Sequence, residues 1–461
     1  MVRLFSHWFP STTVVQVAFD AVLLFFTFMV AGAWLTRGDL ASGELLPTAL
    51  LFAVAMIVLN STVGLYRRDP YRTRMQTAAR IAVWLLLAIP LAYAIFMLPP
   101  WAQVHQTALK ATAIAALVAL VVVRTLMSNR PHSSMLVRRV LVFGTGADAD
   151  AVDHSLRQFA DSMNIVGFYP VQGDQESNYA VAADRVFPAN ISLADTARFH
   201  DADDVIVAVR ERRGGALPLN DLLQCKLSGI RVLDLSSYYE RALGQVRLDT
   251  LHASWLIFGE GFRQGFVRTT VKRLFDIAVS FVLLVLAAPV MVLTTLVIAL
   301  ESGFPVLYRQ ERVGQAGRIV SVIKFRSMRL DAETDGTPRW ATTNDDRITR
   351  FGRLIRKLRI DELPQLFNVL KGDMSLVGPR PERPYFVDSL TRDIPFYAAR
   401  HSVKPGITGW AQVRYHYGAS VDDAAQKLQY DLYYVKNHTL FLDLLILFET
   451  VGVVVTGRGA H

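Results

Sequence analysis

A chain of 461 residues with 52% hydrophobic side chains is long enough for two or three domains and too apolar for an ordinary soluble enzyme. Its single cysteine excludes an internal disulfide, so we expect the parts outside a membrane to be cytoplasmic. Because the net charge of +9 occurs together with long apolar segments, it indicates anionic lipid or a phosphorylated substrate, and we expect no nucleic acid partner.

Four apolar segments predict an amino-terminal bundle of four transmembrane helices, which we assign to residues 1–130. Each segment approaches or reaches the ~20 residues that cross a hydrocarbon core. Arginines are frequent after the second and the fourth segment, whereas the loop 99–105 contains no lysine or arginine. By the positive-inside bias, both ends of the bundle face the cytoplasm. The four segments are Thr13–Leu35, Leu45–Leu65, Ile81–Leu98 and Ala108–Val123.

Residues 137–250 alternate short apolar strands with helical stretches, which is typical of a parallel α/β sheet. The first strand leads into a turn that contains Gly144 and Gly146. A dinucleotide site would require an acidic residue at the end of the second strand, and Val166–Pro170 contains none. We therefore predict a Rossmann-like domain without a dinucleotide cofactor. Weak binding of another nucleotide and a purely structural role in a homodimer are the two alternatives for this domain.

A fifth apolar run, Phe275–Leu300, is long enough to cross a membrane but carries positive charge on both sides. Lys272 and Arg273 precede it, and several arginines and lysines follow it, which argues against crossing. Pro289 lies near its middle, where a proline bends or breaks a helix. We predict a re-entrant helix-break-helix over residues 274–301 that enters and leaves one leaflet. The alternative is a kinked helix that spans the membrane.

The segment Ile360–Pro381 combines two adjacent carboxylates, Asp361 and Glu362, with Arg380 between two prolines. An arginine fork matches a pair of phosphate oxygens, and helix amino termini also attract phosphate. The pattern indicates an anionic nucleophile or metal ligand close to a phosphate-binding cation. The alternative is that Asp361 only caps the helix that follows it.

This segment resembles the core signature of the bacterial polyprenyl-phosphate sugar-phosphate transferases, also called monotopic phosphoglycosyl transferases. Four further segments resemble the family in the same order, so we assign residues 266–461 to an α-rich catalytic domain. The resemblance implies the long form of the family, a multi-pass protein of the bacterial inner membrane whose catalytic domain faces the cytoplasm. The further segments are Lys272–Asp276, Ile323–Met328, Lys404–Val413 and Tyr430–Asn437.

The family reaction moves a sugar-1-phosphate, here expected to be a hexose, from a UDP-sugar to undecaprenyl phosphate and releases UMP. This is the initiating step of exopolysaccharide, O-antigen or capsule assembly. The resemblance implies that Asp361 is a nucleophile that forms an aspartyl-phosphosugar, with Glu362 assisting the metal or proton transfer. It further implies a Mg²⁺ ion held by Asp361, Glu362 and Asp431. The expected substrate contacts are Lys324, Arg326, Arg380 and Asp431.

Two other functions fit parts of the sequence. A membrane-bound nucleotide-sugar dehydratase or epimerase also couples apolar helices to a Rossmann domain. Its chemistry needs a Tyr-x-x-x-Lys pair, and no tyrosine here has a lysine four residues on. A non-catalytic scaffold of a polysaccharide assembly complex needs no such groups, and the intact Asp361, Glu362 and Arg380 argue against it. The sequence leaves the identity of the sugar and the polysaccharide pathway open.

Overall fold

The computed structural model of the chain describes residues 2–4, 7–9, 11–35, 42–63, 65–66, 74–97, 111, 113–122, 137–159, 163–172, 179–209, 217–251, 262, 265–329, 347–415 and 420–456. They belong to two compact units, Met1–Leu4 with Trp8–Leu243 and Phe5–His7 with Gly244–His461. Two short strands, β1 (Val2–Leu4) and β2 (His7–Phe9), lie at the amino terminus.

The four predicted apolar segments of the first unit are all helical. Their side chains share one apolar core, to which Phe28, Phe52, Trp84 and Leu117 contribute. Within the described residues, Thr13–Trp34 is long and apolar enough to cross a membrane, whereas the other three helices have shorter apolar stretches. Four crossings therefore stay a prediction, and the loops 67–73, 98–110 and 123–136 that carry the orientation signal lie outside the described residues. The helices are α1 (Ser11–Leu35), α2 (Ser42–Thr62), α3 (Arg74–Met97) and α4 (Ala113–Val122).

The first unit also contains a parallel four-stranded sheet in the order β4-β3-β5-β6. Successive side chains of a strand face opposite sides, so Val140 and Val142 pack on α5 and α8, while Leu141 and Phe143 pack on α6 and α7. This confirms a parallel sheet; the Rossmann-like assignment and any nucleotide binding stay predictions. The elements are β3 (Arg138–Phe143), α5 (Ala147–Phe159), β4 (Met163–Tyr169), α6 (Leu193–Phe199), β5 (Asp204–Val207), α7 (Leu219–Leu227), β6 (Arg231–Asp234) and α8 (Leu235–Leu243), with a 3-10 turn at Ala183–Arg185.

The second unit contains the longest described helix, α9 (Phe266–Ser302), which continues through Pro289 without interruption. The predicted break into two separate helices is therefore wrong. A proline removes one backbone hydrogen bond and can bend a helix without ending it. Only 11% of the most apolar window of α9 is buried, and Leu286 and Leu300 are 71% and 87% exposed. This apolar surface indicates contact with a membrane, while the re-entrant path stays a prediction.

The first turns of α9 are tied to the second unit by the residues of the Lys272–Asp276 segment. Lys272 donates to a carboxylate oxygen of Asp443 at 2.7 Å, and the hydroxyl of Tyr434 donates to the other oxygen at the same distance. The Arg273 guanidinium donates to the carbonyls of Val369 and Leu370 at 2.6 and 2.7 Å. These buried polar contacts fix one end of the helix.

Most of the remaining elements of the second unit surround an apolar core that includes Val369, Leu428, Leu432 and Tyr433. A smaller apolar cluster joins Ile355 of α10 to Ile298, Val306 and Phe325. An antiparallel hairpin of β7 and β8 and a parallel pair of β9 and β10 lie beside the helices. The elements are β7 (Leu307–Val313), β8 (Ile319–Phe325), α10 (Arg350–Lys357), α11 (Gln365–Lys371), β9 (Ser375–Val377), α12 (Pro384–Asp393), β10 (Gly406–Thr408), α13 (Trp410–Arg414), α14 (Val421–Asn437) and α15 (Leu440–Thr456), with 3-10 turns at Gln315–Gly317, Ile360–Glu362 and Tyr397–Ser402.

The second unit begins earlier in the chain than we predicted. Residues 244–250 were assigned to the middle domain, and the catalytic domain was expected to begin at 266. In the structure, Val246 is 1% exposed and lies with Leu251 in the core of the second unit. A 3-10 turn at Leu248–Thr250 lies between these two buried residues. The segment Gly244–Leu251 is thus part of the carboxy-terminal unit.

Candidate active site

Asp361 and Glu362 lie in the 3-10 turn that separates α10 from α11. Arg359, which precedes the turn, has a φ of 58°, a left-handed conformation that ends α10 and redirects the chain. Helix α11 begins only after Pro364, so Asp361 is not the cap residue of that helix. The expectation that Asp361 serves as a helix cap is therefore wrong, and its carboxylate is available for another role.

Glu362 is held by two cations from different parts of the unit. Its Oε1 atom accepts a hydrogen bond from Arg380 Nη2 at 2.7 Å and from Lys324 Nζ at 3.1 Å. Burial disfavours the charge of Glu362, but the attraction of Arg380 and Lys324 outweighs burial and holds its pKa well below the ordinary value. The predicted cations Lys324 and Arg380 are thus brought together around the predicted dyad.

Asp361 differs from its neighbour because nothing neutralises it directly among the described residues. Its side chain is buried, and its Oδ1 atom has no hydrogen-bond partner there. Burial, together with the charge of Glu362, raises the pKa of Asp361 to about 6, although Lys324, Arg356 and Arg359 oppose the shift. A buried carboxylate without a partner costs free energy in the resting protein, as expected for a group reserved for an incoming ligand.

The position of Arg380 depends on close packing between β9, which precedes it, and β10. Gly378 donates from its backbone nitrogen to the Thr408 carbonyl at 2.9 Å, and Gly406 donates to the Pro379 carbonyl at 3.0 Å. A Cβ atom on Gly378 would lie 2.3 Å from the carbonyl oxygen of Lys404. The glycine is therefore required for β9 and β10 to bring the Arg380 loop this close.

Asp431 lies in a separate ion pair. Its Oδ2 atom accepts from Arg400 Nε at 3.0 Å and from Arg400 Nη2 at 2.8 Å, and both side chains are buried. Arg400 also donates to the Arg380 carbonyl at 2.9 Å and to the Tyr397 hydroxyl at 2.7 Å. Asp431 therefore braces the backbone of Arg380 through Arg400, and its direct contact with a metal or substrate stays a prediction.

Arg326 lies at the carboxyl end of α9. Its Nη2 atom donates to the Ser302 carbonyl at 2.7 Å, the Ser302 hydroxyl at 2.8 Å and the Gly303 carbonyl at 2.6 Å. Carbonyls at the carboxyl end of a helix lack partners within the helix and carry partial negative charge. Arg326 therefore caps the long helix through Nη2. Its buried Nε and Nη1 atoms have no hydrogen-bond partner among the described residues, and its contact with a donor phosphate stays a prediction.

A three-carboxylate magnesium site is not assembled among the described residues. Asp431 is paired with Arg400, and no group of three metal-ligating side chains is found in that part of the chain. Mg²⁺ is commonly held by one or two carboxylates together with substrate phosphates. The unpartnered Oδ1 atom of Asp361 fits that mode. The residues present therefore fit a cation that is shared with a diphosphate, with Asp361 and Glu362 as the ligands from the protein.

Arg400 is the site residue that the sequence analysis missed. It lies outside the motif segments, in a 3-10 turn whose sequence carries no spacing that points to a partner. The signal that could have found it is chemical. Asp431 is a carboxylate within an otherwise apolar helix face, and a buried carboxylate requires a cation.

Comparison of the sequence with known proteins identifies its family. The profile of the family described as bacterial sugar transferase matches residues 267–457. A UDP-N-acetylgalactosamine-undecaprenyl-phosphate N-acetylgalactosaminephosphotransferase of Aeromonas hydrophila is 46% identical over 240 residues, which are 52% of this chain and 56% of that protein.

Two further relatives match a shorter part of the chain. The uncharacterized sugar transferase EpsL of Bacillus subtilis is 43% identical over 189 residues, which are 41% of this chain and 89% of that protein. An undecaprenyl-phosphate glucose phosphotransferase of Komagataeibacter xylinus is 45% identical over 194 residues, 41% of this chain and 36% of that protein. The matches thus span only about half or less of the Aeromonas and Komagataeibacter relatives. On the family profile and the near-complete match to EpsL, the chain belongs to the bacterial sugar transferase family.

Proposed function

We propose that this protein transfers a sugar-1-phosphate from a UDP-sugar to undecaprenyl phosphate, yielding undecaprenyl-diphospho-sugar and UMP, as the first step of building an exopolysaccharide, O-antigen or capsule. The observation that carries the proposal is the pairing of an unpartnered buried carboxylate, Asp361, with a cation-bound neighbour, Glu362. Such a site offers a nucleophile beside groups that bind phosphate. The names of the relatives support the substrate classes.

The chemistry follows from the roles that the side chains can take. A carboxylate oxygen of Asp361 attacks the phosphorus that bears the sugar, and the bond from that phosphorus to the bridging oxygen breaks, so UMP leaves with the bridging oxygen. The result is an aspartyl-phosphosugar. A phosphate oxygen of the lipid then attacks the same phosphorus and releases the Asp361 carboxylate. Each step conserves charge and requires no oxidant or reductant.

Charge balance explains the contributions of Lys324 and Arg380. The donor diphosphate is an anion and would be repelled by two carboxylates, but Lys324 and Arg380 both pair with Glu362 and offset this negative charge. An arginine and a lysine aimed at developing phosphate charge stabilise the transition state. When bound to the phosphates and the dyad, Mg²⁺ would supply further positive charge.

The proposed function requires α9 to be re-entrant. The donor is cytoplasmic, and residues of the site both precede and follow this helix in the chain. A straight helix of this length would extend roughly 55 Å, well beyond the ~30 Å hydrocarbon core. Yet Arg273 near one end contacts Val369, and Ser302 at the other end contacts Arg326, all within the second unit. Because both ends of α9 contact the same compact unit, this supports a placement of both ends on the same side of the membrane. Pro289 is the position where the helix would bend.

The decisive experiment is a donor panel with purified full-length protein, undecaprenyl phosphate and Mg²⁺, in which released UMP is measured. We expect one or more UDP-hexoses to react. UDP-glucose and UDP-N-acetylgalactosamine are the first to compare, because the relatives are named for both sugars. Incubation with the donor alone should leave a sugar-phosphate mass on the peptide that contains Asp361. Failure of every donor, with folded protein, would favour the non-catalytic scaffold.

A further inference from the structure

We propose that the segment Gly244–Leu251, which we call the strap, is a positioning element of the site: it holds helix α14 so that Asp431 and Arg400 brace the loop of Arg380. The strap continues directly from α8 and precedes the family match at residue 267. The expected effect of the strap on activity rests on the proposed function. The contacts between the strap and its neighbours do not depend on that function.

The strap is connected to α14 at two levels, once directly and once through Trp410 of α13. The backbone nitrogen of Val246 donates to the carbonyl of Gln429 in α14 at 2.9 Å. The carbonyl of Gly244 accepts from the indole nitrogen of Trp410 at 2.7 Å, and the Trp410 ring stacks on Tyr433 with centroids 5.9 Å apart. Gln429 and Tyr433 lie on α14, one turn apart. The strap therefore fixes both ends of a single helical turn.

Asp431 lies within that turn, midway between Gln429 and Tyr433. Its carboxylate holds Arg400 at 2.8 Å, and Arg400 donates to the Arg380 carbonyl at 2.9 Å. The side chain of Arg380 then reaches Glu362 at 2.7 Å. Hydrogen bonds, together with the backbone of α14 and the side chain of Arg380, thus connect the strap to the dyad. A displacement of the turn would shift Asp431 and Arg400, and with them the backbone from which Arg380 projects.

The strap fits its place tightly, as a positioning element requires. Gly244 has a φ of 63°, and a Cβ atom there would lie 3.0 Å from the Trp410 ring. Val246 is 1% exposed and packs in the same core as Leu428 and Leu432. The family profile begins at residue 267, after the strap. The strap is thus an upstream segment built into the catalytic unit.

Gly244→Ala tests the proposal, with Gly229→Ala as its matched control. Gly229 also has a positive φ, 87°, but a Cβ atom there meets nothing within 4 Å. Both variants strain a left-handed glycine, and only Gly244→Ala presses on Trp410. In the full-length protein we expect Gly244→Ala to lower kcat/KM by about tenfold or more, because small displacements of catalytic groups have effects of this order. Gly229→Ala should stay within about twofold of wild type, since surface changes away from a site have small effects.

Two readouts separate positioning from a general loss of stability. Hydrogen–deuterium exchange of the peptides that contain Arg400 and α14 should rise in Gly244→Ala and not in Gly229→Ala. This measurement does not require the protein to have transferase activity. In a double-mutant cycle, Gly244→Ala should add little to the defect of Asp431→Asn, because both act through Arg400. If Gly244→Ala does not fold, Trp410→Phe removes the 2.7 Å hydrogen bond to Gly244 and is subject to the same tests.

The outcomes distinguish the two proposals. Equal behaviour of the Gly244→Ala and Gly229→Ala proteins, or fully additive defects of Gly244→Ala and Asp431→Asn, would overturn the strap. A wild-type protein that uses no UDP-sugar would overturn the proposed function, while the exchange measurement would still decide on the strap.

Discussion

Arg380 Nη2 lies 2.7 Å from Glu362 Oε1, and this ion pair joins the dyad to a loop that follows a different strand. The attraction of Glu362 raises the pKa of Arg380, so the pair is fully charged at neutral pH. Since Lys324 shares the same carboxylate oxygen, the two cations and Glu362 form one charged cluster beside Asp361.

The first prediction concerns the two cations. Arg380→Lys keeps the charge but loses the fork that can bind two oxygens at once, so we expect kcat to fall by about 10²-fold, the order seen for loss of one electrostatic donor. Lys371→Arg is the control, because Lys371 is exposed and pairs with Asp373 away from the dyad. UMP release measures both. An Arg380→Lys protein with wild-type kcat would contradict the role of the fork.

The second prediction concerns the protonation of Asp361 in protein freed of metal and substrate. With a pKa of about 6, Asp361 is protonated below that pH and ionised above it. Carbodiimides react with protonated carboxyl groups, so labelling of the Asp361 peptide should fall as the pH rises through about 6, as mass spectrometry would record. Glu362→Gln should move this transition to lower pH, because it removes a negative neighbour. Lys324→Met should move it to higher pH, because it removes a positive one.

Shifts of the same sign in both variants would contradict the electrostatic picture of Asp361. A transition near the ordinary aspartate pKa in the wild type would show that Asp361 is better solvated than the structure indicates.

The third prediction separates a bracing role of Asp431 from a metal-binding role. Asp431→Leu leaves the buried Arg400 without a partner, which should destabilise the unit by about 3–5 kcal/mol. The double variant Asp431→Leu with Arg400→Met removes both charges and should regain most of that stability, without regaining full activity. Thermal unfolding in detergent and UMP release are the measurements. If the double variant is as unstable as the single one, the pair is not the main interaction of Asp431.

The sequence predicted the dyad and two of its cations because these residues lie in contiguous motifs whose local structure is regular. Lys324 is inside β8, so the strand alone sets its direction. Arg326 follows the end of β8 at Phe325, where the alternation of a strand no longer applies, and it turns to the end of α9 instead. The Asp431–Arg400 pair joins residues 31 positions apart. Such a contact depends on tertiary packing, and no local pattern encodes it.

The continuous course of α9 has a similar explanation. Local rules treat Pro289 as a break, but the surrounding run of apolar helix formers supplies enough helical hydrogen bonds to continue on both sides. Lys272 and Arg273, which precede the run, contact Asp443 and the Leu370 carbonyl of the second unit. The inference from the charges on both flanks, that α9 does not cross the membrane, stays a prediction.

The fourth prediction tests the re-entrant path of α9. Single cysteines at Gly265 and Glu311, in a Cys225→Ala background, lie at exposed positions on either side of the helix. Both should react with an impermeant thiol reagent from the cytoplasmic side only. Reaction of the Glu311 position from the opposite side would show that α9 crosses the membrane. Pro289→Leu should shift some molecules to that crossed orientation, because it favours a straight helix.

The fifth prediction concerns where the catalytic unit begins. A protein truncated at residue 265 keeps all the motif segments of the catalytic domain but lacks the strap. Val246 and Leu251 are buried in the core, so their loss should destabilise the unit by about 3 kcal/mol or more, the order expected for exposing two aliphatic contacts. A protein that begins at Gly244 keeps them. We expect residues 244–461 to unfold at a higher temperature and to release UMP faster than residues 265–461, when both are inserted in the same lipid. Both proteins retain α9 and the whole family match, so a difference between them is due to residues 244–264. Equal stability and activity would show that the carboxy-terminal unit does not depend on the strap.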